Sequence, residues 1–270
     1  MYHALFNDSD TSNIDQEDLP YAVSRQNFID QLDQLADRQV GLYNRQAEEI
    51  PDIVITFDDG HHSNLDIAAP LLVERGLPAY FFITTNFTGQ RTGFMSAEQL
   101  RSLAELPGML LGSHGTTHRF FDDLAPNESI DELRSSRNTL EALTGKPCHS
   151  ISFPGGRYHQ RTLKQVKESG YRQWFGSDIG LIDSARAFSD TLDEKSVDDM
   201  HDQLLWQTVQ SPIERIAVRQ NTSLDEFTRM IRPDAAYYKQ LKRRGQVKNL
   251  ARRVLGNRLY HGLYKSLSVR

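Results

Sequence analysis

Residues 53–60 read Ile-Val-Ile-Thr-Phe-Asp-Asp-Gly, an apolar run that ends in two adjacent carboxylates and a glycine. The first five residues are β-branched or aromatic, which is typical of a strand. Asp58 and Asp59 therefore stand directly at the end of a predicted strand. A simple turn is the alternative, because Asp-Gly is a common turn pair.

Outward from this stretch, short β-rich runs alternate with segments of helical period. We predict strands at 2–6, 53–57, 79–84, 109–112, 150–153, 172–176 and 215–218, and helices at 24–37, 64–75, 96–106, 127–144, 160–169 and 223–231. This alternation predicts parallel β-α-β units, and seven strands suit a closed or nearly closed α/β barrel. Residues 180–211 are predicted to be a surface insertion with a helix near 197–208. The active face of such a barrel lies at the carboxyl ends of its strands, where Asp58 and Asp59 are expected.

Residues 109–118 repeat the arrangement, since Met-Leu-Leu-Gly-Ser is followed by His-Gly-Thr-Thr-His. In one helical turn, residues four apart lie about 6 Å from each other on the same face. Both imidazoles of His114 and His118 would then reach one metal ion. A histidine pair alone is often incidental, but two strand ends that deliver Asp-Asp and His-x-x-x-His to one rim indicate a metal site. One carboxylate and two imidazoles suit Zn²⁺ or another borderline divalent ion.

The two aspartates then take different roles. One must bind the ion, and the other can accept a proton from bound water, whose pKa falls toward ~7 on a divalent ion. Hydroxide formed in this way attacks a carbonyl that the ion polarises. The pattern predicts hydrolysis of an amide or an ester.

The composition excludes several classes of protein. The chain has 270 residues, of which 38% are apolar and 25% charged, as in ordinary globular proteins. No run approaches the ~18 apolar residues of a membrane span, and residues 1–20 lack the pattern of a secretory signal. A single cysteine, Cys148, excludes an internal disulfide framework and is compatible with the cytosol. We therefore expect a cytoplasmic protein.

At its Asp-Asp and His-x-x-x-His motifs the chain resembles the polysaccharide deacetylases, carbohydrate esterase family 4. The resemblance covers most of residues 1–232 and implies the distorted (β/α)7 barrel of that family, an α/β fold. Thr-Phe-Asp-Asp-Gly matches the first family motif, which implies Asp58 as the general base and Asp59 as a metal ligand. Ser-His-Gly-Thr-Thr-His matches the second, which implies His114 and His118 as ligands. One divalent ion is implied, with Zn²⁺ preferred and Co²⁺, Mn²⁺ or Ni²⁺ as alternatives.

Residues 152–158, Ser-Phe-Pro-Gly-Gly-Arg-Tyr, resemble the third family motif, which forms one wall of the cleft. The resemblance implies a substrate-binding wall composed of Phe153, Pro154, Gly155, Gly156, Arg157 and Tyr158. The family usually has an arginine just before this proline that contacts the base, but Ser152 and Phe153 stand here. Arg157 is the candidate substitute. A Pro-Gly-Gly turn is the alternative, and the glycine N–H groups are a candidate oxyanion site.

The largest departure from the family is the late histidine that protonates the leaving amine. The corresponding strand, residues 215–221, reads Arg-Ile-Ala-Val-Arg-Gln-Asn and offers no histidine. His3 is the candidate catalytic acid, because its Tyr-His setting resembles the deacetylases of exopolysaccharide and poly-N-acetylglucosamine pathways. A histidine that packs against the rim is the alternative.

The end of the chain differs from the rest in charge. Residues 239–270 contain ten lysines and arginines and no acidic residue, which leaves 21 of the 31 basic residues beside all 36 acidic ones in residues 1–238. Apolar residues recur at helical spacing here, so we predict a catalytic barrel at 1–235 and a basic amphipathic tail at 236–270. The tail either packs on the barrel or docks on an anionic membrane surface or a glycan-assembly partner, at the inner face of the membrane. Nucleic acid is not expected.

The leading hypothesis is a metal-dependent carbohydrate N-deacetylase that acts on an N-acetylated glycan or its precursor. A catalytically silent glycan-binding member of the family is one alternative, because the late histidine is absent. An amidohydrolase that acts on a small non-sugar amide is the other.

Overall fold

Five parallel strands form the main sheet of the computed structural model, which describes residues 1–8, 10–43, 51–178, 212–232, 236–243 and 245. A separate parallel pair consists of β1 (Leu5–Phe6) and β2 (Val23–Ser24). The main sheet follows chain order: β3 (Ile55–Phe57), β4 (Ala79–Ile83), β5 (Met109–Ser113), β6 (Ser150–Ser152) and β7 (Gln173–Phe175). Parallel strands in chain order require a crossover between each pair, as the alternation predicts.

Helices supply these crossovers. Those between successive strands of the main sheet are α2 (Ala69–Glu74), α3 (Ala97–Glu105), α4 (Pro126–Thr144) and α5 (Gln160–Glu168), whereas α1 (Arg25–Asp33) precedes β3 and α6 (Leu224–Ile231) follows β7. The Oγ atom of Ser96 accepts the Gln99 amide and begins α3, and Gly145 ends α4 with a left-handed φ of +68°. Ser96 is therefore the N-cap of α3, and Gly145 is the left-handed C-cap of α4.

The sheet closes into a ring through short extended segments at its two edges. Tyr2 pairs with β3, and Ile213 pairs with β7. The Val218 amide donates to the carbonyl oxygen of Met1 at 2.9 Å, and the Met1 nitrogen donates to Ile216 at 3.0 Å. Five strands and these two segments make seven positions, so the predicted parallel α/β barrel is confirmed.

Large aromatic side chains fill the barrel. All five residues of β4 are buried, and the rings of Phe57 and Phe81 stack with centroids 4.8 Å apart. Gly112 gives Phe82 the space it needs, because a Cβ there would lie 2.6 Å from the Phe82 ring and from the Ser150 hydroxyl. Burial on both faces explains why β4 is a continuous run of apolar and aromatic residues.

The described residues contain only the beginning of the predicted basic tail. Residues 236–243 are helical, with Tyr237 and Leu241 buried, and the Tyr237 hydroxyl donates to Glu226 at 3.3 Å. The boundary between residues 235 and 236 stays a prediction, and the predicted helix near 197–208 lies outside the described residues. None of the helices described here is both long and apolar enough to cross a membrane.

Candidate active site

Asp58 and Asp59 leave the end of β3 in different directions. Asp58 continues the strand, since its amide donates to the Tyr2 carbonyl at 2.9 Å, and its side chain is buried. Asp59 has a left-handed φ of +74°, which a residue with a side chain rarely adopts, and Gly60 follows at +89°. Strained backbone of this kind is concentrated at functional sites, and here it turns the two carboxylates toward different partners.

A loop brings His114 and His118 together after β5. Their ring centroids lie 5.2 Å apart, and the loop between them has left-handed residues at Gly115 and His118. The predicted helical turn is therefore wrong, although the predicted proximity is confirmed. Nδ1 of His114 lies 2.8 Å from the Ser152 carbonyl oxygen. Because a carbonyl only accepts, Nδ1 carries the hydrogen, and a neutral ring presents the Nε2 lone pair to the site.

Three side chains converge in the arrangement of a metal site. Oδ1 of Asp59 lies 3.3 Å from Nε2 of His114 and 3.1 Å from Nε2 of His118. The potential ligand atoms of the three residues all lie within 4.8 Å of one another. Oδ1 of Asp59 is buried and accepts no hydrogen bond, so it is available to a cation. One carboxylate and two imidazoles fit a divalent ion with open positions, as expected.

Electrostatics keep this carboxylate ionised. Burial alone would raise the pKa of Asp59, but His118 and His114 outweigh it and hold the pKa well below its usual value. Burial would lower the pKa of His118, but Asp59 outweighs that effect and raises it. A proton on His118 therefore competes with a metal ion as the pH falls.

Asp58 has a different partner, a buried arginine from the ring-closing segment. Arg215 donates from Nη1 to Oδ1 at 2.8 Å and from Nη2 to Oδ2 at 2.9 Å, which is a bidentate pair. Its Nη2 also reaches the Ser152 hydroxyl at 2.6 Å, and its Nε donates to the Gly176 carbonyl at 2.8 Å. Burial alone would raise the pKa of Asp58, but Arg215 together with His114 and His3 more than offsets it, and the pKa is lowered. Asp58 is thus held as a carboxylate that can accept a proton.

Arg215 takes the role that the sequence predicts for Arg157, contact with the base. Arg157 donates to Asp122 at 3.0 Å and to Asp123 at 2.8 Å, and its guanidinium lies 4.1 Å from the Phe120 ring centroid. The predicted contact between Arg157 and the base is therefore wrong. A signal for Arg215 was present, because an arginine that begins an apolar strand needs a carboxylate when it is buried.

Residues 153–158, the predicted substrate wall, follow β6 and begin with a turn that contains two left-handed glycines. Gly155 and Gly156 have φ of +60° and +65°, and the Gly156 amide donates to the Phe153 carbonyl at 2.8 Å. That amide is therefore used within the turn, which argues against it as an oxyanion donor. Phe153 and Pro154 are buried, whereas Gly155 is exposed and Tyr158 partly so. Direct substrate contact by this wall stays a prediction.

His3 lies close enough to this cluster for the charges of the two aspartates to affect its pKa. Burial lowers the pKa of His3, and the carboxylates of Asp59 and Asp58 oppose this effect. Its ring packs on Tyr21 with centroids 4.9 Å apart, and its Nδ1 is buried without a hydrogen-bond partner. A buried unpaired ring nitrogen is costly unless another group meets it, so packing alone does not account for this histidine.

The chain is similar to several known proteins. Residues 45–174 match the family described as Polysaccharide deacetylase. The putative polysaccharide deacetylases YxkH and YheN of Bacillus subtilis (strain 168) are 29% and 27% identical over 47% and 45% of this chain. These matches span 45% and 43% of the two relatives, less than half of their lengths. The structure of Streptococcus pyogenes deacetylase PplD in complex with acetate has a TM-score of 0.66 at 20% identity, covering 86% of this chain and 96% of that one. At this identity the likeness shows the barrel fold.

Proposed function

We propose that this chain, which contains a polysaccharide deacetylase domain, removes N-acetyl groups from an N-acetylated sugar in a metal-dependent reaction. The observation that carries the proposal is the buried Oδ1 of Asp59, which faces two imidazole Nε2 atoms and accepts no hydrogen bond. The metal ligands are Asp59, His114 and His118. A divalent ion held there would lower the pKa of a water molecule and polarise the acetamide carbonyl.

Asp58 is the general base in this proposal. Its carboxylate stays ionised because of Arg215, and it lies beside the metal ligands, with Oδ2 4.0 Å from Nε2 of His114. It therefore accepts a proton from the attacking water without leaving its ion pair. Ser152 donates to the same Oδ2 at 3.2 Å and helps to fix the direction of the lone pairs.

His3 is the general acid in this proposal. Hydrolysis of an amide releases an amine, which must gain a proton as the bond to the carbonyl carbon breaks. His3 has an unpaired ring nitrogen and lies in the field of the same carboxylates. Because its pKa is lowered, its ring is neutral in the free protein, so the proton that Asp58 takes from the attacking water passes to His3, which delivers it to the amine as the C–N bond breaks.

We further propose Zn²⁺ as the ion, a cytoplasmic location and a glycan or glycan precursor as the substrate. The two imidazoles support zinc over the hard cations, which prefer oxygen ligands. Assignment to the exopolysaccharide-type subgroup is supported by the Tyr-His sequence at residues 2 and 3. Docking of residues 236–270 on a membrane or an assembly partner rests on their charge alone.

The metal site can be tested without a substrate. Protein stripped with chelator and reloaded with Zn²⁺ is expected to retain about one equivalent per chain, and Asp59→Ala and His114→Ala are each expected to retain none. Elemental analysis after gel filtration measures this. Affinity is also expected to decrease as the pH falls through the raised pKa of His118.

Asp52→Ala is the matched control, since Asp52 is exposed and pairs with Arg38. Wild-type protein without stoichiometric metal would exclude the hydrolytic mechanism. Metal binding without acetate release from N-acetylglucosamine oligomers would favour the silent glycan-binding member instead.

The role of His3 predicts a change in kcat rather than in metal content. His3→Phe keeps a ring beside Tyr21 but cannot transfer a proton, so kcat is expected to fall about 10²-fold while one equivalent of metal remains. Acetate release at several pH values measures this, and the limb of the kcat profile that belongs to His3 is expected to vanish. An unchanged pH profile would assign the proton to another group.

A further inference from the structure

One carboxylate on α4 holds the loop that joins the two metal-binding histidines. Oε2 of Glu132 accepts the amide hydrogens of Thr116 at 2.6 Å and Thr117 at 3.0 Å. Its Oε1 accepts the Thr117 hydroxyl at 2.5 Å. Glu132 is only 7% exposed, so these bonds are shielded from solvent. Its carboxylate therefore binds two of the three residues between His114 and His118.

The backbone of this loop has a conformation that needs support. Gly115 has φ of +79° and His118 of +63°, and the latter is uncommon for a residue with a side chain. A Cβ on Gly115 would lie 3.1 Å from Oε2 of Glu132, so only glycine leaves the carboxylate its full approach. Successive N–H groups in such a loop form a concave anion site, and Glu132 occupies it.

The opposite side of the loop is held by backbone alone. The Thr85 amide donates to the Gly115 carbonyl at 3.2 Å, and the Asn86 amide donates to the Thr116 carbonyl at 2.9 Å. Across the described part of the chain, no cationic side chain forms an ion pair with Glu132. A buried carboxylate needs donors that compensate its charge. For Glu132 these are the two backbone amides and the threonine hydroxyl of the loop, which take the place of a cation.

We infer that Glu132 is a positioning residue for the metal centre. It is not one of the three potential ligands; it fixes the loop so that His118 keeps Nε2 3.1 Å from Oδ1 of Asp59. The inference rests on the proposed function, because it assumes that these side chains hold a metal. Residues that orient metal ligands typically contribute about 10–100-fold to metal affinity.

Zn²⁺ affinity in competition with a chromogenic chelator is the test. Glu132→Ala is expected to weaken binding about 10–100-fold, because it removes all three acceptor contacts. Glu132→Gln is expected to remain within a few-fold of wild type, since its amide oxygen can still accept the two backbone N–H groups. Glu141→Ala is the matched control, because Glu141 also lies on α4 and accepts a backbone amide, that of Cys148 at 3.0 Å. It is expected to lower thermal stability without changing Zn²⁺ affinity.

Hydrogen exchange in the metal-free protein separates this inference from the proposed function. The Thr116 and Thr117 amides are expected to exchange faster in Glu132→Ala and at the wild-type rate in Glu141→Ala. Zn²⁺ affinity of Glu132→Ala within twofold of wild type would overturn the inference, and so would unchanged exchange of both amides. Wild-type protein that binds no Zn²⁺ would instead overturn the proposed metal-dependent function.

Discussion

Arg215→Met is expected to lower the free energy of unfolding by about 3–5 kcal/mol at pH 7, because it leaves the buried carboxylate of Asp58 without its cation. Both side chains are almost fully buried, so solvent cannot replace the lost bidentate pair. Chemical denaturation measures the loss. Chelator is included because a nearby metal ion would partly compensate the unpaired charge of Asp58.

The pH dependence of this loss has a defined sign. In the wild type the pKa of Asp58 is lowered, so the stabilisation is present above the unfolded carboxyl pKa of ~3.9 and is lost as the pH falls through the folded value. In the variant, burial is no longer offset by Arg215, so that pKa rises. The destabilisation is therefore largest at neutral pH and shrinks as Asp58 becomes protonated.

Two further variants identify the cause of this effect. Arg219→Met removes an arginine of the same segment that stacks on Tyr21, 4.7 Å from its ring centroid, and is expected to cost far less. In Arg215→Met combined with Asp58→Asn, part of the stability is expected to return, because no charge remains buried alone. A purely additive double variant would show that the two residues do not act as a pair.

Asp58→Asn is expected to reduce kcat/KM for an N-acetylglucosamine oligomer by about 10²–10⁴-fold, because asparagine cannot accept the proton of the attacking water. The expected metal content stays at one equivalent. Asp58 lies farther from Nε2 of His114 than Asp59 does, 4.0 against 3.3 Å, and Arg215 already engages both of its oxygens. Acetate release and metal content measured on one preparation test both expectations.

Asp66→Asn serves as the control for Asp58→Asn, since it removes a partly exposed carboxylate that pairs with His62. A variant of Asp58 that keeps more than a tenth of the activity would remove Asp58 from the base role. Loss of metal together with activity would instead make Asp58 a ligand.

Much of the barrel and of the metal cluster follows from local sequence patterns. Apolar runs that end in Asp-Asp and in His-x-x-x-His predict both the strands and the rim at which these side chains meet. Parallel strands make this inference reliable, because all of their carboxyl ends lie on one face. Residues 45–174, which contain both motifs, match the family that these motifs predict.

The partner of the base could not be predicted in the same way. Arg215 and Asp58 are 157 residues apart, and nothing in the residues around either one names the other. The resemblance to the family predicts that the arginine lies close to Pro154 in the sequence. The structure instead brings a guanidinium from the segment at 212–218, which pairs with Met1 beside Tyr2, and Tyr2 in turn pairs with β3.

The closure of the ring by Met1 and residues 216–218 predicts an order of folding. The Met1 nitrogen donates to the carbonyl of Ile216, 215 residues away, so this contact has a very large sequence separation. Such contacts form late, after loop closure has been compensated by local structure. The sheet from β3 to β7 and its helices can form earlier from neighbouring segments. Arg215 then reaches Asp58 only at closure, and we expect the catalytic carboxylates to be among the last groups to reach their native environment.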